Sequence, residues 1–215
     1  MNTGSAEFES YLYDDIFVDK SLLIKTINNN LTKKNIKYMC ITRMRRSGKS
    51  LAIAMLNAYY SRGCDSKEQF KNLKISKDES YETHLNKHNV IWIDLTGGYC
   101  DIRDKNDFLK ELEESVLDDL KDSYEDILTD EEDTISKCLR KINSITEERF
   151  IIFIDEWDII FREQEENREL GYKYLEYLNQ TFTSSDVSDC IDLVYMTGIY
   201  PIKRYTDKST LSMFK

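Results

Sequence analysis

Four short apolar runs, separated by stretches with helical spacing, set the pattern of this chain. Lys37 to Thr42 (KYMCIT), Asn89 to Leu95 (NVIWIDL), Arg149 to Ile154 (RFIIFI) and Ile191 to Thr197 (IDLVYMT) have the length of strands. The third is apolar and β-branched nearly throughout, the mark of a strand buried on both faces. Among the intervening segments, Leu22 to Ile27 predicts a short helix entered from Asp19-Lys20-Ser21, and Lys49 to Ser61 (KSLAIAMLNAYYS) a strong one. Phe108, Leu109, Leu112, Val116, Leu117 and Leu120 share one helical face, and so do Ile135, Leu139, Ile142 and Ile145. Leu170, Tyr174, Leu178 and Phe182 recur every four residues in a further long helix. The second apolar run stops on Thr96-Gly97-Gly98, and the last ends on Thr197-Gly198.

Strands alternating with helices predict an α/β fold with a parallel sheet sandwiched between helices. In such sheets ligands bind beyond the carboxyl ends of the strands. That rule directs attention to the residues just after Thr42, Ile154 and Thr197.

Composition narrows the function classes. With 215 residues the chain is long enough for one α/β domain with a full core. No apolar run approaches the roughly 20 residues that span a bilayer, so no membrane association is expected. The start, MNTGSAEFES, has neither the basic nor the apolar segment of a secretory signal. Five scattered cysteines (Cys40, Cys64, Cys100, Cys138, Cys190) form no C-x-x-C pair, which speaks for free thiols in a reducing cytoplasm and against a structural zinc site. A net charge of −10 does not support nucleic-acid binding by the surface as a whole. Much of it falls between Asp118 and Asp133, which reads as a solvated helix face and its connecting loop.

The chemistry starts at CITRMRRSGKSLAIAML, Cys40 to Leu56. Gly48-Lys49-Ser50 opens an apolar helix directly after a strand, the context of a phosphate-binding P-loop. Successive N–H groups and the positive end of the new helix would cradle an anion. Lys49 would reach the β- and γ-phosphates, and Ser50 would ligate Mg²⁺. Arg43 stands where the usual pattern has its first glycine, and arginine cannot copy glycine's range of φ. The loop is therefore expected to enter extended and to wrap only from Arg46-Ser47-Gly48 onward. Arg43, Arg45 and Arg46 would place positive charge beside a polyphosphate.

The second element is Phe150 to Glu156, an apolar strand that delivers two carboxylates at its end, as a Walker B strand does. Asp155 would hold Mg²⁺, directly or through water, and Glu156 would polarise the attacking water. Carboxylates at the end of a buried strand are costly without a cation. Asp158 is the next candidate for the base.

Taken in order, FVDKSLLIKTI (Phe17 to Ile27), ITRMRRSGKSLAIAML, VIWIDL, FIIFIDEWD and VYMTGIYPI resemble the AAA-ATPase-like family of prokaryotic P-loop proteins. That family is similar in its V-D-K-[TS] start, its arginine-rich R-P-R-R-[FS]-G-K-[TS] loop, its I-D-E-[YW]-D and its L-T-G-[VI]. The arginines in place of the first glycine are thus a family trait, and Met44 replaces the usual proline. The resemblance covers nearly the whole chain. It implies an ASCE-type P-loop core, with Lys49 and Ser50 as phosphate and Mg²⁺ contacts and Asp155 and Glu156 as the Walker B pair. It places Thr197 where a polar sensor would contact the γ-phosphate or the lytic water, although a β-branched residue ending a strand is an equal reading. Asp19 and Lys20 match V-D-K-[TS], with Asp19 also able to act only as a helix cap. Lys203 and Arg204 could add transition-state charge, and His84 and His88, four apart, read as solvent-facing.

The expected function is Mg²⁺-dependent ATP hydrolysis coupled to a conformational change. The alternative is a nucleotide-gated interaction switch with little or no hydrolysis. A small-molecule kinase would want an arginine-bearing lid, and GTP use a base-reading N/T-K-x-D; neither is evident in the sequence. The restriction-endonuclease-like domain that often follows in the family has no match here. The pattern yields four strands where the ASCE core has a fifth beside the P-loop strand. The single domain over 1–215 is therefore expected to be truncated at its C-terminal end, with an open edge that invites self-association or a protein partner.

Overall fold

The computed structural model describes residues 4–31, 33, 36–102, 105–205, 211, 213 and 214. The strands are β1 (Tyr38–Thr42), β2 (Asn89–Asp94), β3 (Phe150–Asp155) and β4 (Ile191–Gly198). Helices α1 (Ala6–Leu12) and α2 (Leu22–Asn28) precede β1, and α3 (Lys49–Tyr60), α4 (Lys67–Phe70) and α5 (Tyr81–His84) lead to β2. Between β2 and β3 come α6 (Leu95–Asp101), α7 (Phe108–Ser123) and α8 (Ile135–Thr146). Helices α9 (Ile159–Glu163), α10 (Arg168–Leu178) and α11 (Ser185–Ser188) join β3 to β4.

The four strands form one sheet in the order β1-β4-β3-β2, every neighbouring pair parallel. Among the described residues β1 is outermost on one side. The registers pair Ile41 with Thr197 and Asp94 with Asp155, which brings the carboxyl ends of the strands into one row. β3 sits second from the β2 edge and is buried at all its positions, as its apolar sequence predicts.

Alternation along the strands splits the core in two. Ile152, Ile154, Val194 and Met196 face α7, α8 and α10, whose Leu120, Leu139 and Tyr174 are fully buried. Ile151, Phe153, Leu193 and Tyr195 face the other way, against Ile53, Leu56, Tyr59 and Tyr60 of α3 and Phe8, Ile24 and Ile27 from the N-terminal helices. Each large side chain buried in this way contributes about 1.5–3 kcal/mol. α3 is covered by the sheet on one side and the N-terminal helices on the other, and nearly all of its residues are buried.

The predicted elements recur with small differences. β2 does end before Thr96, but the chain turns at once into α6, because the Asp94 carboxylate accepts the Thr96 N–H at 2.9 Å and caps the new helix despite its two glycines. The four-residue apolar spacing of 170–182 is α10 followed by a π-helical turn over Asn179–Thr183. The cysteines Cys40, Cys64, Cys138 and Cys190 are free thiols; the Cys100 side chain and residues 206–210 lie outside the described residues. Among the described residues no helix is long and apolar enough to cross a membrane.

His84 and His88 correct the expectation of solvent-facing rings. His84 Nδ1 and His88 Nε2 lie 3.0 Å apart, the rings stack, and His88 meets Tyr60 edge-on. His88 bridges to Ser61 at the end of α3, and that bridge draws its ring inward. Burial, followed by the charge of His84, lowers His88 from 6.5 to about 4. Below 6.5 the unfolded chain takes up a proton that the folded chain refuses. The stability this gives is present above that value and is lost as pH falls to about 4. Chemical denaturation at pH 7 and pH 4.5 should therefore show His88→Gln losing less stability on acidification than the parent, by on the order of 1–3 kcal/mol. Parallel losses would remove His88 from the acid response.

Candidate functional site

The row of strand ends opens into a cleft of about 720 Å³ lined by Ser50, Asp94, Asp155, Glu156 and Arg162, with Glu7, Arg45, Trp92, Tyr99 and Lys105 around them. Its floor is the loop between β1 and α3. That loop leaves β1 held to the neighbouring strand by the Arg43 N–H on the Gly198 carbonyl at 3.1 Å. Arg46 (φ 62°) and Gly48 (φ 82°) both adopt left-handed backbone, so the chain wraps from Arg46 onward, as expected for a loop without the first glycine. Gly48 holds its left-handed backbone without the strain a side chain would bring, and a Cβ there would also have to displace Lys20 Nζ, 2.8 Å away. Lys20 donates to the Ser47 carbonyl at 2.9 Å and so braces the loop from the N-terminal segment. The Ser47 hydroxyl is buried with no hydrogen-bond partner among the described residues. A buried orphan of that kind, beside the first turn of a long helix, suits a ligand that accepts hydrogen bonds.

Lys49 and Ser50, the first two residues of α3, meet the end of β3 across this floor. Lys49 Nζ lies 3.2 Å from Glu156 Oε1, with the lysine side chain only 6% exposed. The Ser50 and Thr197 hydroxyls both donate to Asp155. The Glu156 N–H also donates to it at 3.0 Å; burial nonetheless lifts the Asp155 carboxyl above the usual value, and Glu156 and Asp94 push it the same way. Such a carboxylate lacks a cation, and a divalent metal beside the Ser50 hydroxyl would supply one.

Glu156 has φ 54°, a left-handed backbone that costs a non-glycine residue roughly 1–2 kcal/mol. The turn is pinned on both sides by Trp157 N–H on the Thr197 carbonyl at 2.9 Å and Ile159 N–H on the Glu156 carbonyl at 3.0 Å. It leaves the carboxylate between two cations, since Arg162 Nη2 is 2.6 Å from Oε2. Backbone strain at a residue bearing this chemistry is a sign of function.

Of the residues singled out from sequence, Lys49, Ser50, Asp155, Glu156 and Thr197 are brought together, with Arg45 at the rim and Ser47 and Gly48 beneath. Thr197 is fully buried behind Asp155, so it acts on the cleft through that carboxylate. Arg43 and Arg46 are exposed, and the Arg43 guanidinium donates to the Thr42 carbonyl. Arg204 lies over the Tyr200 ring at 4.2 Å and lines a separate groove with Phe161 and Tyr205. Asp158 is fully buried and accepts the N–H groups of Ile199 and Tyr200 at 3.0 and 2.7 Å, which ties down the turn after β4. Asp19 does not cap α2 in the usual way; it accepts from Ser21 N–H and from Lys74 N–H, joining the N-terminal segment to the turn after α4.

Glu7, Asp94 and Arg162 are among the cleft residues that escaped the sequence reading. Glu7, on α1, carries a carboxyl raised by burial and by the charges of Asp155 and Asp94. Asp94 shows its role only through its register with Asp155. Arg162 was one of many charged residues in 162–169, though its spacing of four from Asp158 and six from Glu156 was a usable signal.

A family model described as a predicted AAA-ATPase matches residues 3–206 of this chain. No curated protein matches it.

The raised Asp155 predicts a conflict between fold and site. The folded chain holds a proton there that the unfolded chain has already released, so folding is penalised as pH rises from 3.8 through the raised value. Asp155→Asn removes that penalty and keeps an oxygen for Thr197. Its melting midpoint without ligand should rise at neutral pH, by about 2–4 °C for each ~1 kcal/mol recovered. A lower midpoint would mean that the ionised carboxylate stabilises the fold.

Proposed function

The chain belongs to the predicted AAA-ATPase family, and from that premise we propose that it is an ATP-binding P-loop protein that hydrolyses ATP with Mg²⁺. The observation that carries the reading is the meeting of Lys49 and Ser50 with Asp155 and Glu156 across the loop floor. The residues fit the nucleotide on three counts: the buried Ser47 hydroxyl without a partner among the described residues, the left-handed glycine at the loop's end, and the desolvated Asp155.

In this reading the loop N–H groups of 47–50 and Lys49 bind the phosphates, with Arg45 and Arg46 adding charge at the rim. Ser50 and Asp155 hold Mg²⁺, which when bound neutralises phosphate charge. Thr197 orients Asp155 through its hydroxyl. Glu156 takes the proton from a water aligned for attack, and its strained backbone fixes it near Lys49. The conformational output runs through Asp158, which joins the Glu156 turn to the exit of β4. A gated switch would share every one of these contacts except the use of Glu156 as a base. The free thiols make a cytoplasmic site of action part of the proposal, and the outermost β1 a protein partner.

Lys49→Ala should abolish MgATP binding in calorimetry; equal affinity in parent and variant would sink the phosphate assignment. Glu156→Gln should keep binding and lose turnover by roughly 10²- to 10⁴-fold, the usual share of general-base catalysis. A parent that binds but releases no phosphate would favour the switch. Turnover surviving in Glu156→Gln would remove Glu156 as the base.

A further inference from the structure

Glu156 has two carboxylate oxygens, and each holds a different buried cation. Oε1 faces Lys49 Nζ at 3.2 Å and Oε2 faces Arg162 Nη2 at 2.6 Å, with the three side chains 18%, 6% and 10% exposed. At that burial each contact matters, because a cation left without its carboxylate keeps its desolvation cost uncompensated. Lys49 is also the cation that a polyphosphate needs. Glu156 and the phosphates therefore compete for the same ammonium group.

The two partners of Glu156 are not equivalent. The contact to Lys49 is the longer, so the pair is already biased toward Arg162. Arg162 also has a second acidic neighbour away from the loop, at ion-pair distance without a hydrogen bond. Its Nε lies 3.5 Å from Asp158 Oδ1, four residues back on the same helical turn, with the acid on the favourable N-terminal side. Asp158 in turn holds the two N–H groups after β4. A continuous run of contacts thus leads from Lys49 through Glu156, Arg162 and Asp158 to Ile199 and Tyr200. Its Lys49 end belongs to the loop floor, while Glu156 and Arg162 line the cleft.

We propose that Arg162 is a positioning residue that takes Glu156 over from Lys49 when Lys49 engages a polyphosphate, and so sets how tightly the site binds nucleotide. The inference rests on the nucleotide reading above. With Arg162 in place, Lys49 leaves a carboxylate that keeps its other cation, and Glu156 stays where its strained turn puts it. Without Arg162, Lys49 is the only cation on Glu156, and a phosphate must strip it from a buried carboxylate. Arg162 also lines the cleft, so the competing explanation is direct contact between Arg162 and the phosphates. The two differ in one respect. An effect passed through Glu156 vanishes when Glu156 is made neutral, and a direct contact does not.

The test is a double-mutant cycle on the full chain, read by calorimetry with MgADP, which none of the proteins consumes. Arg162→Gln should weaken binding roughly tenfold, within the coupling range of charged residues in contact. Glu156→Gln should bind several-fold more tightly than the parent, and adding Arg162→Gln to it should change affinity less than twofold. Arg162→Lys should recover part of the loss, which also guards against a folding defect in the glutamine variant. An equal loss in both backgrounds would overturn the hand-over in favour of direct or purely structural action. No loss in either would show that Glu156 does not compete for Lys49. If the parent itself binds no MgADP and matches Lys49→Ala, the nucleotide reading falls and the hand-over with it.

Discussion

Two carboxylates end a strand that is buried along its whole length, and the rest of the site answers that fact. Ionised groups in such a place must be given partners or lose their charge. α3 supplies Lys49 and Ser50, β4 supplies Thr197, and α9 supplies Arg162. Glu156 receives two cations, while Asp155 receives two hydroxyls and the Glu156 N–H, and burial raises its carboxyl. The distribution is what a site awaiting a cation at Asp155 would need.

A loop without its first glycine requires support from elsewhere, and the N-terminal segment gives it. Lys20 crosses to the Ser47 carbonyl. Asp19 fixes the segment at its other side through Lys74, and Phe8 packs on Phe70 at 5.0 Å between centroids. The same arrangement brings Lys20 Nζ within 2.8 Å of where a Gly48 Cβ would lie. Glycine persists where left-handed backbone favours it and is dispensable at the loop's entry, where Arg43 needs only extended backbone and one bond to Gly198.

The sheet was legible because its strands are short, apolar and spaced by helices with clear periodicity. Lys49, Ser50, Asp155 and Glu156 were legible because parallel strands gather their carboxyl ends, so order along the chain becomes adjacency in space. What escaped depends on tertiary placement. α6 contains two glycines and forms because Asp94 caps it. Glu7 reaches the cleft only because α1 folds back along α3. The histidines looked solvent-facing because a spacing of four says nothing about Ser61, whose bridge draws His88 inward. Arg162 lay in a charged stretch where most residues are solvated, and only its two acidic partners set it apart.

Three features that cost stability meet at one end of the sheet: a left-handed glutamate, a desolvated aspartate and an orphaned hydroxyl surround the loop floor. The rigid part of the fold holds the strained part in place, which is how a site keeps groups in positions they would not adopt alone. Asp158 belongs to both parts. It is wholly buried, yet it joins the turn bearing Glu156 to the backbone leaving β4. Glu156 and Asp158 share Arg162 as a neighbour, and the aromatic groove of Phe161, Tyr205 and Arg204 lies beyond the turn that Asp158 ties down.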